Sequence, residues 1–208
     1  MMKKILLVIF LILLLALSYY YFIYQKYNNW PIVNQKPQGE TIIAFGDSLT
    51  AGYGVDKYDN YPSQLSRMIG EPVINMGVSG ETTGQALLRI EDVVQANPRI
   101  VIVSLGANDL RKRIPAAQAF ANLRRIVNIL QANGALVVIG GLDIPYYKND
   151  YAEDYIEFAK INGCLLVPNV LEGIIGHQDL MVDAVHPNAK GYTIMANQFY
   201  NVIEGYID

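Results

Sequence analysis

Thr41-Ile42-Ile43-Ala44-Phe45-Gly46-Asp47-Ser48-Leu49-Thr50 is the stretch from which the fold can be read. Ile42 to Phe45 are apolar without alternation, as in a strand covered on both faces. Glycine, aspartate and serine then end the run at once, as at a tight turn. Working outward, short apolar runs of the same kind recur at residues 73–75, 100–105, 135–139 and 164–167. The stretches between them carry a helical period. Phe120, Leu123, Val127 and Leu130 share one face, and so do Leu87, Ile90 and Val94. Gly134 stands where a helix C-cap glycine belongs, and Pro98 follows the end of the helix before it. Strands alternating with helices imply a parallel sheet with right-handed crossovers. The expectation is a three-layer α/β domain of about five parallel strands. Sites in such sheets form at the carboxyl ends of the strands, where strand order reverses.

Before residue 41 the texture differs. Residues 5–23 contain no charged side chain, which is the length of about 20 apolar residues that a spanning helix needs. Lys3 and Lys4 precede the run, and Tyr19, Tyr20, Tyr21 and Tyr24 crowd its far end. This pattern predicts one N-terminal transmembrane helix with a cytoplasmic start and an aromatic belt. The sequence therefore divides into a signal anchor (1–24), a linker rich in Asn, Pro and Gly (25–40) and a domain at 41–208. The domain is expected on the extracytoplasmic or periplasmic side of the cell membrane as a single-pass protein. Cleavage as a secretory signal is the alternative, although Ala16-Leu17-Ser18 makes a poor cleavage site.

The formal net charge is −3, and the body of the chain has no basic run suited to phosphate backbones, which argues against nucleic acid as a partner. The one cysteine, Cys164, lies in an apolar run and reads as a small buried residue. No Cys/His cluster has metal-ligand spacing.

Four polar or glycine clusters fall at strand ends. Gly46-Asp47-Ser48-Leu49-Thr50 follows the first run, and Asn75-Met76-Gly77-Val78-Ser79-Gly80 the second. Gly106-Ala107-Asn108-Asp109 follows the third, and Asp183-Ala184-Val185-His186-Pro187 lies after the fifth. Their convergence suits acyl transfer. A serine hydroxyl needs a base, and histidine is the usual one. Of two histidines, His186 has Asp183 three positions earlier, a spacing that lets a carboxylate fix the imidazole. His177 reads as a surface-loop residue. An oxyanion needs donors placed in advance. The backbone N–H groups of Ser48 and Gly77 and the Asn108 amide are candidates. Asp47 reads as shaping the Ser48 turn through local N–H groups. Asp109 reads as a helix N-cap, and Gly80 as a turn glycine. Tyr146, Tyr147, Tyr151 and Tyr155 line an acyl or aromatic pocket, cover the domain's surface or face the membrane.

These four blocks resemble those of the SGNH, or GDSL, hydrolases in order and position, over residues 41–207. The resemblance implies a flavodoxin-like fold without metal or organic cofactor. It implies Ser48 as nucleophile, Ser48, Gly77 and Asn108 as oxyanion donors, His186 as base and Asp183 as the third triad member. Thr50-Ala51-Gly52-Tyr53-Gly54 and Asn188-Ala189-Lys190-Gly191-Tyr192 look most like the bacterial lysophospholipase, thioesterase and arylesterase branch. Ala184-Val185 departs mildly from the family's usual Gly-Ile or Gly-Val. The expected substrate is a small-molecule or lipid ester or thioester. O-acetylated cell-envelope carbohydrate is an alternative substrate, and a non-catalytic binding module is the alternative outside enzymes.

Overall fold

The computed structural model describes residues 10–15, 18, 30–144 and 151–207. The chain divides into two compact units, Met1–Pro31 and Ile32–Asp208. In the first unit, residues 10–15 are helical with exposed side chains. Among the described residues no helix is long and apolar enough to cross a membrane. Most of the expected span at 5–23 lies outside the described residues, as do Tyr146 and Tyr147.

The second unit is an α/β sandwich built on five parallel strands. They are β1 (Thr41–Gly46), β2 (Val73–Gly77), β3 (Pro98–Ser104), β4 (Leu136–Gly140) and β5 (Leu165–Val167), in the order β2-β1-β3-β4-β5. The central strands are apolar because both faces are covered. Ile42, Ile43, Phe45, Ile100, Ile102, Val137 and Val138 are all fully buried. β2, one of the two edge strands, is only partly buried, which is why its apolar signal is short. Register aligns Gly46 with both Gly77 and Ser104, so three loops leave the sheet at one level. From β1 the chain steps outward to β2, then back across to β3. That reversal opens a crevice above the ends of β1 and β3.

Eight helices cover the sheet among the described residues. After β1 come α1 (Ser48–Ala51) and α2 (Tyr61–Ile69); after β2, α3 (Thr83–Leu87) and α4 (Ile90–Gln95). After β3 come α5 (Ala107–Arg111) and α6 (Ala116–Ala132); α7 (Tyr151–Asn162) precedes β5, and α8 (Ala189–Ile203) ends the domain. α2 packs on α8, while α6 packs with α3, α4, α5 and α7, which gives the two outer layers. α6 buries Ala119, Leu123, Ile126, Val127 and Leu130, close to the expected stripe. Gly134 follows its end at φ +84°, the left-handed conformation a helix stop uses.

One helical expectation is corrected. Leu87, Ile90 and Val94 do not share a helix. A Thr82–Gln85 capping box starts α3, and the chain breaks at Leu88 and Arg89 before α4. Leu88 is left 86% exposed, and the Arg89 guanidinium turns to Glu81 and to the Met76 carbonyl instead.

Residues 32–40 run as a strap along the amino-terminal side of the domain. Val33 N–H donates to Gly163 O and Gln38 N–H to Gly134 O, each near 3 Å. The Asn34 amide donates to Gln131 O (2.9 Å) and Ala135 O (3.0 Å).

Candidate active site

β1 ends at Gly46, and the chain turns directly into α1. Asp47 caps that helix by accepting from Leu49 N–H at 3.1 Å, so Ser48 becomes its first residue. Ser48 is half-buried at the head of the crevice. Asp47 itself is wholly buried. Burial pushes its carboxyl up to about 7; the Leu49 N–H pulls it down, Glu81 and Asp109 push it further up, and the Asn108 amide opposes them.

His186 arrives from the opposite end of the domain. A single antiparallel bridge, Met181 to Pro187, closes a loop in which Val182 N–H donates to His186 O at 2.8 Å. Inside the loop, Asp183 Oδ1 accepts from the N–H groups of Val185 and His186, both at 2.9 Å. His186 Nδ1 lies 2.8 Å from Asp183 Oδ2, and Nε2 lies 3.0 Å from Ser48 Oγ. A carboxylate only accepts, so Nδ1 carries the proton and Nε2 is left to accept from the serine hydroxyl. Partial burial pushes the Asp183 carboxyl up, but the Val185 and His186 N–H groups and the imidazole outweigh that, and it sits below the usual carboxylate range. The Tyr53 ring lies against the imidazole, with centroids 4.3 Å apart.

Asn108 is buried in the first turn of α5. Its Nδ2 donates to Glu81 O (3.0 Å) and Asp47 Oδ2 (3.2 Å), and its Oδ1 accepts from an Arg111 guanidinium nitrogen at 3.1 Å. The amide is thus held from three sides. Asp109 is not the expected N-cap; Gly106 holds that position. The buried Asp109 carboxylate accepts from Thr83 N–H (2.9 Å) and Thr83 Oγ1–H (2.7 Å), which ties the third loop to the second.

A cavity of about 310 Å³ opens over these groups. Its polar wall is formed by Ser48, His186, Asn108, Ser79 and Arg111, and its apolar wall by Leu49, Leu142, Ile144, Leu171 and Val185. Of the expected site residues, Ser48, Asn108 and His186 line it, with Asp183 directly behind the histidine. The structure does not bring Gly77 to it. Gly77 N–H donates to Asn75 Oδ1 at 2.9 Å, and the space a Cβ would fill is taken by Ala51 N. Gly77 lacks a side chain so that α1 can close on β2, not so that substrate can approach. Gly80, read as a turn glycine, lines the cavity instead; its φ is +81° and its missing Cβ faces open space. Among the described residues nothing accepts the N–H of Gly80 or of Ser48. Sequence reading missed Gly80 because a glycine shows no side chain by which to separate a plain turn from a cavity wall. The available signal was its position three residues past the end of β2.

Tyr151 and Tyr155 are buried beside Phe120, away from the cavity, and Tyr155 O–H donates to Leu105 O at 2.6 Å. His177 is exposed at the start of a single 3₁₀ turn. Cys164 is buried. Among the described residues no group of three or more His, Cys, Asp or Glu could hold a metal ion.

Residues 44–194 match the model of the GDSL-like lipase/acylhydrolase family. The chain is 29% identical to Esterase TesA of Pseudomonas aeruginosa over 171 residues, covering 75% of this chain and 84% of that protein. It is 31% identical to an arylesterase of Vibrio mimicus over 163 residues, 73% of this chain and 82% of that one. The crystal structure of TesA superposes with a TM-score of 0.75 at 26% identity, over 79% of this chain and 98% of that chain.

Proposed function

This chain belongs to the GDSL-like lipase/acylhydrolase family and is a carboxylic ester hydrolase; from that premise we propose that Ser48, His186 and Asp183 perform its chemistry on esters and thioesters. The observation that carries the reading is the unbroken line Ser48 Oγ, His186 Nε2, His186 Nδ1, Asp183 Oδ2, with contacts of 3.0 and 2.8 Å. Ser48 Oγ attacks the acyl carbon as His186 Nε2 takes its proton. Asp183 holds the imidazole in the needed tautomer and balances the imidazolium. The N–H groups of Ser48 and Gly80 and the Asn108 amide receive the oxyanion. Gly80 takes the part expected of Gly77, whose N–H is engaged elsewhere. Asn108 Nδ2 gives up its longer contact, to Asp47 Oδ2, when the oxyanion arrives. His186 then protonates the leaving alkoxide or thiolate, and water repeats the cycle to free the acid. The apolar wall of Leu142, Ile144, Leu171 and Val185 supports an acyl or aryl substituent larger than acetyl. Ser48→Ala should abolish hydrolysis of p-nitrophenyl butanoate; a retained rate would remove Ser48 from the mechanism.

We further propose that residues 5–23 anchor the protein with its catalytic domain outside the cytoplasm. The support is the uncharged run behind Lys3 and Lys4. Externally added protease should release an active fragment from intact spheroplasts; protection until lysis would reverse the orientation.

A further inference from the structure

We propose that Arg111 is a subsite for an anionic group on the substrate, so that this enzyme favours esters bearing a carboxylate or phosphate near the scissile bond. The proposal rests on the reading of the Ser48 cavity as the active site. Arg111 follows Asn108 by three positions on α5, and that spacing places both on one helix face. The guanidinium therefore sits beside the amide proposed to hold the oxyanion, on the cavity wall.

An exposed arginine is ordinarily solvated, and its pairings contribute little. Three observations set Arg111 apart. First, it is held: one guanidinium nitrogen donates to Asn108 Oδ1 at 3.1 Å, which pre-positions a planar fork with further N–H donors. Second, four carboxylates near the cavity are engaged elsewhere. Glu81 pairs with Arg89, Asp183 with His186, Asp109 holds Thr83, and Asp47 holds Leu49 N–H and Asn108. Among the described residues no carboxylate lies within 4.0 Å of Arg111. Third, the charge is reinforced. Lys112 and Arg113 follow directly and are exposed, and Lys112 Nζ donates to Gly80 O at 3.2 Å. One part of the rim is thus cationic, with no described carboxylate paired to Arg111, while much of the remaining wall is apolar. A ligand that satisfies both is an ester with an apolar portion and an anion. An incoming oxyanion would gain charge-assisted, bidentate hydrogen bonds from the fork.

Two matched pairs of esters test this and locate the anion. Mono-p-nitrophenyl glutarate against p-nitrophenyl pentanoate places it on the acyl side. 4-Carboxyphenyl butanoate against phenyl butanoate places it on the leaving group. The ratio of kcat/KM within each pair is compared between wild type, Arg111→Gln and Arg111→Lys, so that intrinsic reactivities cancel. In at least one pair the anionic preference should fall about tenfold to a hundredfold in R111Q, mainly through KM, with R111K between. In wild type the same ratio should shrink as salt is raised, which needs no variant. Ratios equal in wild type and R111Q for both pairs, even with slower rates, would reduce Arg111 to a support for Asn108 and overturn the proposal. Activity persisting in S48A would instead overturn the site reading beneath it.

Discussion

Replacing Gly77 with alanine separates two roles that a glycine at a strand end can play. A Cβ built there would lie 2.2 Å from Ala51 N, 2.6 Å from Thr50 C and 2.7 Å from Ala51 Cα. All three atoms are backbone, so no rotamer change relieves the overlap. The nearest atom is more than 1 Å inside ordinary contact, and α1 must move off β2. Overpacking of this kind costs about 3 kcal/mol, the upper end of its usual range, because only backbone can yield. In a domain of this size that is a fall in Tm of about 6–12 °C. The displaced helix carries Ser48 at its first position, so the 3.0 Å contact to His186 lengthens as well. A misplacement of about 1 Å at reacting groups costs on the order of a hundredfold in rate. Urea unfolding gives the stability, and kcat/KM per titrated active site gives the rate. A Gly77→Ala protein within 1 kcal/mol of wild type would show that α1 does not rest on β2 as described. In that case a loss of rate alone would mean that the missing Cβ of Gly77 makes room for substrate.

Asp183→Asn keeps an oxygen for the Val185 and His186 N–H groups but no longer fixes the imidazole tautomer; kcat should fall about 10³- to 10⁴-fold with the fold intact by circular dichroism, and a loss under tenfold would count against the triad. Asp47, raised to about 7 from 3.8, holds in the folded state a proton that the unfolded chain has lost. Stability therefore declines as pH rises between those two values, and wild type should lose ground to Asp47→Asn between about pH 4 and about pH 7 in urea titrations, whereas parallel profiles would contradict the raised carboxyl. A fragment beginning at Thr41 lacks the bonds of Val33, Asn34 and Gln38 and should be less stable in urea unfolding than one beginning at Ile32, by about 1 kcal/mol for each lost bond; equal stability would make the strap dispensable.

The sheet was legible because its central strands are buried on both faces, which leaves no polar position to interrupt runs such as Ile42 to Phe45. β2 was legible only in part, since an edge strand tolerates Asn75 and Met76 at its margin. The break at Leu88 was not legible. A three-four spacing of apolar residues looks the same whether one helix carries it or two, and the break depends on where the Arg89 side chain finds partners. The juxtaposition of Ser48, Asp183 and His186 was legible because two histidines left a narrow choice and only one had an acid at turn spacing. The assignment of Gly77 over Gly80 illustrates the limit. Both are glycines after β2, and only the position of α1 decides which one faces the cavity. Arg111 was not legible for a related reason: an arginine on a short helix is common, and the fold alone decides which acids near it find other partners.

Mapping the serine that reacts with a fluorophosphonate tests the central claim most directly. The probe phosphonylates only a serine whose base and oxyanion donors are in place, with loss of fluoride. After digestion, mass spectrometry should find one adduct, on the peptide containing Ser48, and that adduct should vanish in His186→Ala. Labelling at Ser79 or at any other serine, or labelling of Ser48 that survives loss of His186, would contradict the mechanism built on this site.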